Sequence, residues 1–184
     1  GTVSFSPDSR RVAYAAKGGN KWFVVVDGKE RKHYDGIGAG TPIFTPDSKR
    51  VAYAAVLGNK RRVVVDEREE KLYDDIGAGS LIFSPDGKRM AYAAQAGNKW
   101  LVVTDGKEQT PYDGIGYLTF SPDGNGVVYA ARDGNKWSVV VNGKEGNPYD
   151  GFIAGAEIIF DSPNRLHYLA GKASEIYLVE ESLR

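Results

Sequence analysis

One signature returns through the chain and dictates what it can fold into. In its best-formed copy it reads Phe83-Ser84-Pro85-Asp86-Gly87-Lys88-Arg89-Met90-Ala91-Tyr92-Ala93-Ala94. Close versions start at Phe5, Phe44 and Phe120, each with Ser-Pro-Asp or Thr-Pro-Asp and then a tyrosine at Tyr14, Tyr53 and Tyr129. A worn fifth copy runs from Phe160 through Ser162-Pro163 to Tyr168. The phenylalanines stand 39, 39, 37 and 40 residues apart. A fixed period near that length means stacked units, each burying its faces on its neighbours. Residues 1–184 therefore read as a single domain.

The third unit shows the plan. Leu81-Ile82-Phe83 is a short apolar strand. Ser84-Pro85-Asp86-Gly87 is a tight turn: Pro presets φ, Asp bonds its own backbone, and Gly accepts positive φ. Arg89 to Ala94 reads as a second strand, with Met90, Tyr92 and Ala94 on one face. Ala96-Gly97-Asn98-Lys99 makes the next turn. Trp100 to Thr104 is a third strand, apolar on both faces, as in a sheet covered on both sides. Asp105-Gly106 is a hairpin signal of type I′ character. Gln109 to Ile115 reads as a fourth, outer strand, where Pro111 is tolerated because an edge needs no donor. Asp27-Gly28 and Asn142-Gly143 repeat the hairpin. Asp66-Glu67 lacks the glycine, which predicts a strained or longer turn.

Four antiparallel strands in about 40 residues is the pattern of a propeller blade. The Ser-Pro-Asp-Gly turns resemble the WD40-like (PD40) repeat of TolB-type β-propellers over nearly the whole chain. The resemblance implies an all-β, five-bladed β-propeller with blades at about 1–39, 40–79, 80–116, 117–155 and 156–184. It places the Phe strand innermost and the Tyr-Asp strand outermost. Strands at 156–160, 164–170 and 175–180 leave the last blade three-stranded, unless an outer strand comes from residues before Gly1. Glu180 and Glu181 would discourage stray pairing at that edge. The expected state is a monomer, with a dimer closing by strand exchange as the alternative. Members of the family serve as binding platforms, as gating domains of peptidases and as parts of secreted or periplasmic assemblies. The resemblance thus implies a periplasmic or extracellular location. The chain opens at Gly1 without a secretory signal, which fits a chain from which a signal or a neighbouring domain has been removed.

Composition narrows the function classes. Lys+Arg and Asp+Glu balance at 24 each, so no bulk charge points to nucleic acid. No apolar run approaches the roughly 20 residues of a membrane span. Cysteine is absent, which removes disulfides and thiolate metal sites. No cofactor or metal motif is present in the sequence.

The candidate site residues lie in repeated loops. Asn20-Lys21-Trp22, Asn59-Lys60 (followed by Arg61), Asn98-Lys99-Trp100 and Asn135-Lys136-Trp137 recur between the second and third strands. Each set offers an amide, an ammonium and, in three of them, an aromatic plate, the groups that hold a sugar or an anion. The plainer alternative is a turn, a solvated lysine and a packing tryptophan. Gly36-Ile37-Gly38-Ala39-Gly40 and its kin read as loops from fourth to first strand on that same face, with glycines for close backbone passage. A phosphate-loop reading fails because a strand follows, not a helix. Asp35, Asp74, Asp113 and Asp150 fit turn bonding or lysine pairing better than calcium, which needs clustered oxygens. Asp8, Asp47, Asp86 and Asp123 belong to the Pro-Asp turns. His33 and His167 sit in different units beside no nucleophile motif. The sequence therefore points to a non-enzymatic scaffold that binds a protein or peptide through one face. A multivalent carbohydrate-binding propeller is the alternative, and a catalytic or gating domain the third reading.

Overall fold

The structure, a computed structural model, describes residues 3–153 and 157–183. Among these residues the regular structure is entirely strand, in five antiparallel sheets that follow chain order. Sheet 1 pairs Val3–Phe5, Val12–Gly18, Lys21–Val26 and Lys29–Glu30. Sheets 2, 3 and 4 repeat that order, and the long second and third strands form the centre of each.

Side-chain size explains how the sheets stack. Along the second strand of sheet 2, alternate residues point to opposite faces. Val51, Tyr53 and Ala55 point back and pack with Ala13, Val24, Val26 and Tyr34 of sheet 1. Ala52 and Ala54 point forward and pack with Met90 and Tyr92 of sheet 3. A large tyrosine on each backward face thus meets small alanines on the forward face before it. Val63-Val64-Val65 is buried throughout because both faces of the third strand are covered. At each of the four junctions an outer-strand tyrosine meets a second-strand tyrosine edge to face, as in Tyr34–Tyr53 at 6.1 Å and Tyr149–Tyr168 at 6.3 Å. The outer hydroxyl of Tyr34 donates to Glu69 of the next sheet, and Tyr73 donates likewise to Glu108.

An arginine ridge repeats on the side of the Pro-Asp turns. Arg11 lies over the Phe44 ring at 5.2 Å and donates to the carbonyls of Ser48 and Lys49. Arg50 repeats this on Phe83 and Gly87, and Arg89 on Phe120 and Asn125. Sheet 4 carries Gly126 at that position, and the Leu183 side chain fills the space a Cβ there would need.

Strand pairing moves the sheet boundaries. Tyr34, Tyr73, Tyr112 and Tyr149 bridge Trp22, Arg61, Trp100 and Trp137 of their own sheets. The residues just beyond, Gly36–Ile37, Asp75–Ile76, Gly114–Ile115 and Gly151–Phe152, pair with the second strand of the following sheet. The chain therefore crosses between sheets at Asp35, Asp74, Asp113 and Asp150. The boundaries read at 39/40, 79/80 and 116/117 fall a few residues too late, and 155/156 lies outside the described residues. The outer strand of unit three is Lys107–Glu108, not Gln109 to Ile115. The segment Gly36–Gly40 is no rim loop either. In sheet 2 the inner strand has two halves, Gly36–Ile37 and Ile43–Phe44, and Gly38 to Pro42 bulges between them.

The hairpins take the expected turn. Asp27-Gly28, Asp105-Gly106 and Asn142-Gly143 have both residues at positive φ. Asp66-Glu67 keeps the same length, with Glu67 at φ 73°, so the missing glycine appears as backbone strain and not as a longer loop. Sheet 5 has three layers of strand: Gly151–Phe152 with Ile159–Ser162, then Arg165–Lys172, then Glu175–Ser182. The expected strand start at Ala156 lies outside the described residues. Among those residues no strand of sheet 1 pairs with sheet 5.

Candidate binding face

The four Asn-Lys loops lie on one face, at the hairpins between second and third strands. Asn20, Asn59, Asn98 and Asn135 are exposed there. The lysines are not free. Lys21 bonds Asp35 at 2.5 Å, Lys60 bonds Asp74 at 2.5 Å, Lys99 bonds Asp113 at 2.7 Å, and Lys136 bonds Asp150. The second oxygen of each aspartate accepts a backbone N–H from the next sheet's hairpin: Gly58, Gly97, Gly134 and Ala173, at 2.7 to 2.8 Å. Each aspartate thus ties its own lysine to the neighbouring sheet. The lysine, and then the N–H, hold all four carboxyls below the usual range. Both plain roles foreseen for these aspartates operate at once.

Trp22, Trp100 and Trp137 are half-buried, each bridged to the outer-strand tyrosine. Lys17 lies over Trp22 and Arg132 over Trp137, both at 5.9 Å. Arg61 replaces the tryptophan in sheet 2, and Asp75 replaces the glycine opposite. The two departures meet as an ion pair of 2.6 Å.

The repeat breaks at sheet 4. Its inner strand, Gly114–Phe120, is continuous apart from one register shift between Gly116 and Thr119. Two residues fewer separate Phe83 from Phe120 than separate the earlier copies. The shorter path removes the glycine bulge and leaves Tyr117 at φ 50°, largely exposed. Positive φ on a bulky residue costs energy and marks a local constraint. Tyr117 packs edge-on against Phe152 at 6.0 Å, and Phe152 against Trp137 at 6.0 Å.

A cleft of about 570 Å³ lies between sheets 3 and 4 beside this row. Trp100, Tyr117, Leu118, Arg132 and the Gly77–Ser80 bulge line it. The size falls in the range of about 300–1,000 Å³ for ligand pockets. Arg132 is exposed and makes no ion pair among the described residues. Asp113 also borders the cleft, but its oxygens are engaged by Lys99 and Gly134. The site therefore combines aromatic plates, an arginine with no ion pair among the described residues, and glycine backbone. A cleft of similar volume on the Pro-Asp face involves Arg89, Asp105 and Asn142, which already hold the turns together. Tyr117 and Arg132 were not singled out by the repeat; the shorter spacing was the available signal.

The histidines have local partners. His33 stacks on Phe23 at 4.6 Å. His167 bonds Asp161 at 2.9 Å, and no serine hydroxyl reaches it among the described residues. Among those residues no helix is long and apolar enough to cross a membrane.

No protein-family model matches the chain, and no curated protein matches its sequence. Solved structures do. The β-propeller domain of the Trilobed protease from Pyrococcus furiosus, described as having an open velcro topology, superposes with a TM-score of 0.60 at 11% identity. That match covers 99% of this chain and 67% of the other. TolB from Acinetobacter baumannii gives 0.51 at 15% identity, covering 99% and 51%. The chain is a β-propeller. The Dos1 propeller adds a TM-score of 0.51 at 12% identity, covering 97% of this chain and 54% of that one. The propeller spans about half the length of TolB.

Proposed function

We propose that this propeller is a non-enzymatic scaffold that binds a protein or peptide segment through the hairpin face, in the cleft between sheets 3 and 4. The observation that carries the reading is the break in the repeat. Tyr117, Phe152 and Trp137 form an aromatic row beside Arg132, a guanidinium without a carboxylate partner among the described residues. Aromatic and arginine side chains supply most of the energy at protein interfaces. A segment with an apolar or aromatic side chain next to a carboxylate matches this chemistry.

The non-enzymatic part rests on the isolation of the ionisable groups. The repeated aspartates are engaged in lysine or turn bonds, and the histidines in contacts within their own sheets. The carbohydrate reading ranks second, because the repeated lysines are bound to aspartates and the tryptophans are half-buried. A periplasmic or extracellular site of action follows from the TolB-like repeat and is checked by cell fractionation.

The test is selection from a random-peptide display library, beside a glycan array on the same preparation. Selected peptides bind the wild type, and Tyr117→Ala or Arg132→Ala weakens them at least about tenfold with the fold intact. Saturable glycan binding lost on Trp100→Ala, with no peptide selected, would establish the carbohydrate reading in its place.

A further inference from the structure

The cleft between sheets 3 and 4 has a neighbour. A second cleft, of about 330 Å³, lies between sheets 2 and 3 on the same face. Trp100 and the Gly77-Ala78-Gly79 stretch line both, so the two adjoin as halves of one groove. Ala78 and Gly79 are exposed between them, and among the described residues their backbone N–H groups have no acceptor. A peptide carbonyl passing over the bulge would satisfy such a donor.

The two halves differ in chemistry. Ile37, Val56, Ile76 and Leu81 line the cleft between sheets 2 and 3. Its charged lining residues, Arg61 and Asp75, neutralise each other in their ion pair of 2.6 Å. The Thr41 hydroxyl there already donates to the Gly38 carbonyl. This half therefore offers apolar surface with no net charge, which suits an aliphatic side chain. The other half carries Arg132, exposed and without an ion pair among the described residues, which suits a carboxylate. Both halves sit where the repeat departs from itself. Arg61 and Asp75 replace tryptophan and glycine in one, and Tyr117 ends the shortened bulge in the other.

Given that the cleft between sheets 3 and 4 holds a peptide segment, we propose that the segment is extended and continues over Trp100 into the cleft between sheets 2 and 3, where it seats an aliphatic side chain. The unequal charge of the two halves fixes which end of the segment lies where. Its acidic residue sits by Arg132, and its aliphatic residue sits beyond Trp100. Packed sheets stand roughly 10 Å apart and an extended chain advances about 3.3 Å per residue, so the two residues are about two to four positions apart.

The experiment is fluorescence anisotropy with peptides selected from a display library of random segments about 12 residues long, enough to span both clefts when extended. Ala39 is exposed and lines only the cleft between sheets 2 and 3, so Ala39→Trp fills that half alone. Val56→Ala is the second variant, which thins the half-buried wall of that half without adding bulk. Circular dichroism checks both folds. Selected peptides are expected to carry an aliphatic and an acidic residue at the stated spacing, and Ala39→Trp is expected to weaken them at least about tenfold and Val56→Ala at least about threefold. The same peptide with its aliphatic residue changed to glycine is expected to bind the wild type at least about tenfold more weakly, to ignore Ala39→Trp and still to respond to Arg132→Ala. Peptides that depend on Arg132 but bind both cleft variants as tightly as the wild type leave the single-cleft reading standing and overturn the two-cleft proposal. Peptides indifferent to Arg132→Ala, or no selected peptide at all, overturn both.

Discussion

Gly38 is where the glycine bulge comes nearest the rest of its sheet, and Gly38→Ala tests why glycine is there. A Cβ on Gly38 would stand 2.8 Å from the Cβ of Ala54. Ala54 is fixed in the second strand, paired with Val63 and packed into the core with sheet 3. The contact is about 1 Å too short, and neither side can rotate away, so the backbone must move. Overpacking of this kind costs about 1–3 kcal/mol. For a domain of this size that lowers Tm by about 2–12 °C. Gly77→Ala is the internal control. Its new Cβ would meet the Ser80 Oγ at 3.1 Å and the Ser80 Cβ at 3.3 Å, a milder contact than 2.8 Å, so the loss is smaller. Ala54→Gly alone costs about 1–2 kcal/mol, through strand entropy and the lost burial of one methyl group. In Gly38→Ala/Ala54→Gly the clash is gone, so the double variant is more stable than the two single losses predict, by about 1 kcal/mol or more. Thermal and urea unfolding followed by circular dichroism measures the four variants beside the wild type. Gly38→Ala within about 0.5 kcal/mol of wild type, or losses that simply add, would refute the close-passage argument.

Other perturbations have defined outcomes. Tyr92 and Tyr129 share one repeat position, but the Tyr92 hydroxyl is buried without a partner among the described residues, while that of Tyr129 donates to Gln109 at 3.0 Å. Tyr129→Phe is therefore expected to lose about 0.5–1.5 kcal/mol in urea unfolding and Tyr92→Phe to lose nothing or gain. Leu166 is fully buried between sheets 4 and 5, so Leu166→Ala should cost about 2–5 kcal/mol in the same assay. The Ser84 hydroxyl and the Lys88 N–H bring Asp86 down to about 2, and the hydrogen bonds of Asp8, Asp47 and Asp123 lower those carboxyls too. Carboxyls lowered in the folded state contribute stability that is complete above their unfolded value near 4 and lost as pH falls toward 2. Stability measured from pH 6 to pH 2 should hold steady and then decline below about pH 4, and an increase over that range would contradict the assignment.

The fold was legible because its signals are local and repeated. Pro-Asp turns, Asp-Gly hairpins and the alternation of tyrosine with alanine each specify a geometry, and their period specifies the count of sheets. The sheet boundaries were not legible. Gln109 to Ile115 reads in the sequence as one outer strand, whereas the outer strand is Lys107–Glu108 and Gly114–Ile115 belongs to the next sheet; the crossing at Asp113 depends on a bond to the Gly134 N–H that only the assembled sheets supply. The Asn-Lys-Trp loops attracted attention by recurring, yet recurrence reflects the lysine–aspartate ties between sheets. The cleft lay at the opposite kind of signal. Two missing residues before Phe120 turn a glycine bulge into Tyr117 at positive φ, and Arg132 becomes distinctive only once its neighbours are seen to be paired elsewhere.

The most direct test of the binding-face account is titration calorimetry with a display-selected peptide against wild type, Tyr117→Ala, Arg132→Ala and a Lys144→Ala control at the distant hairpin. The account predicts at least about tenfold weaker binding for the first two variants and wild-type affinity for the control. Equal affinity for all four proteins would contradict it.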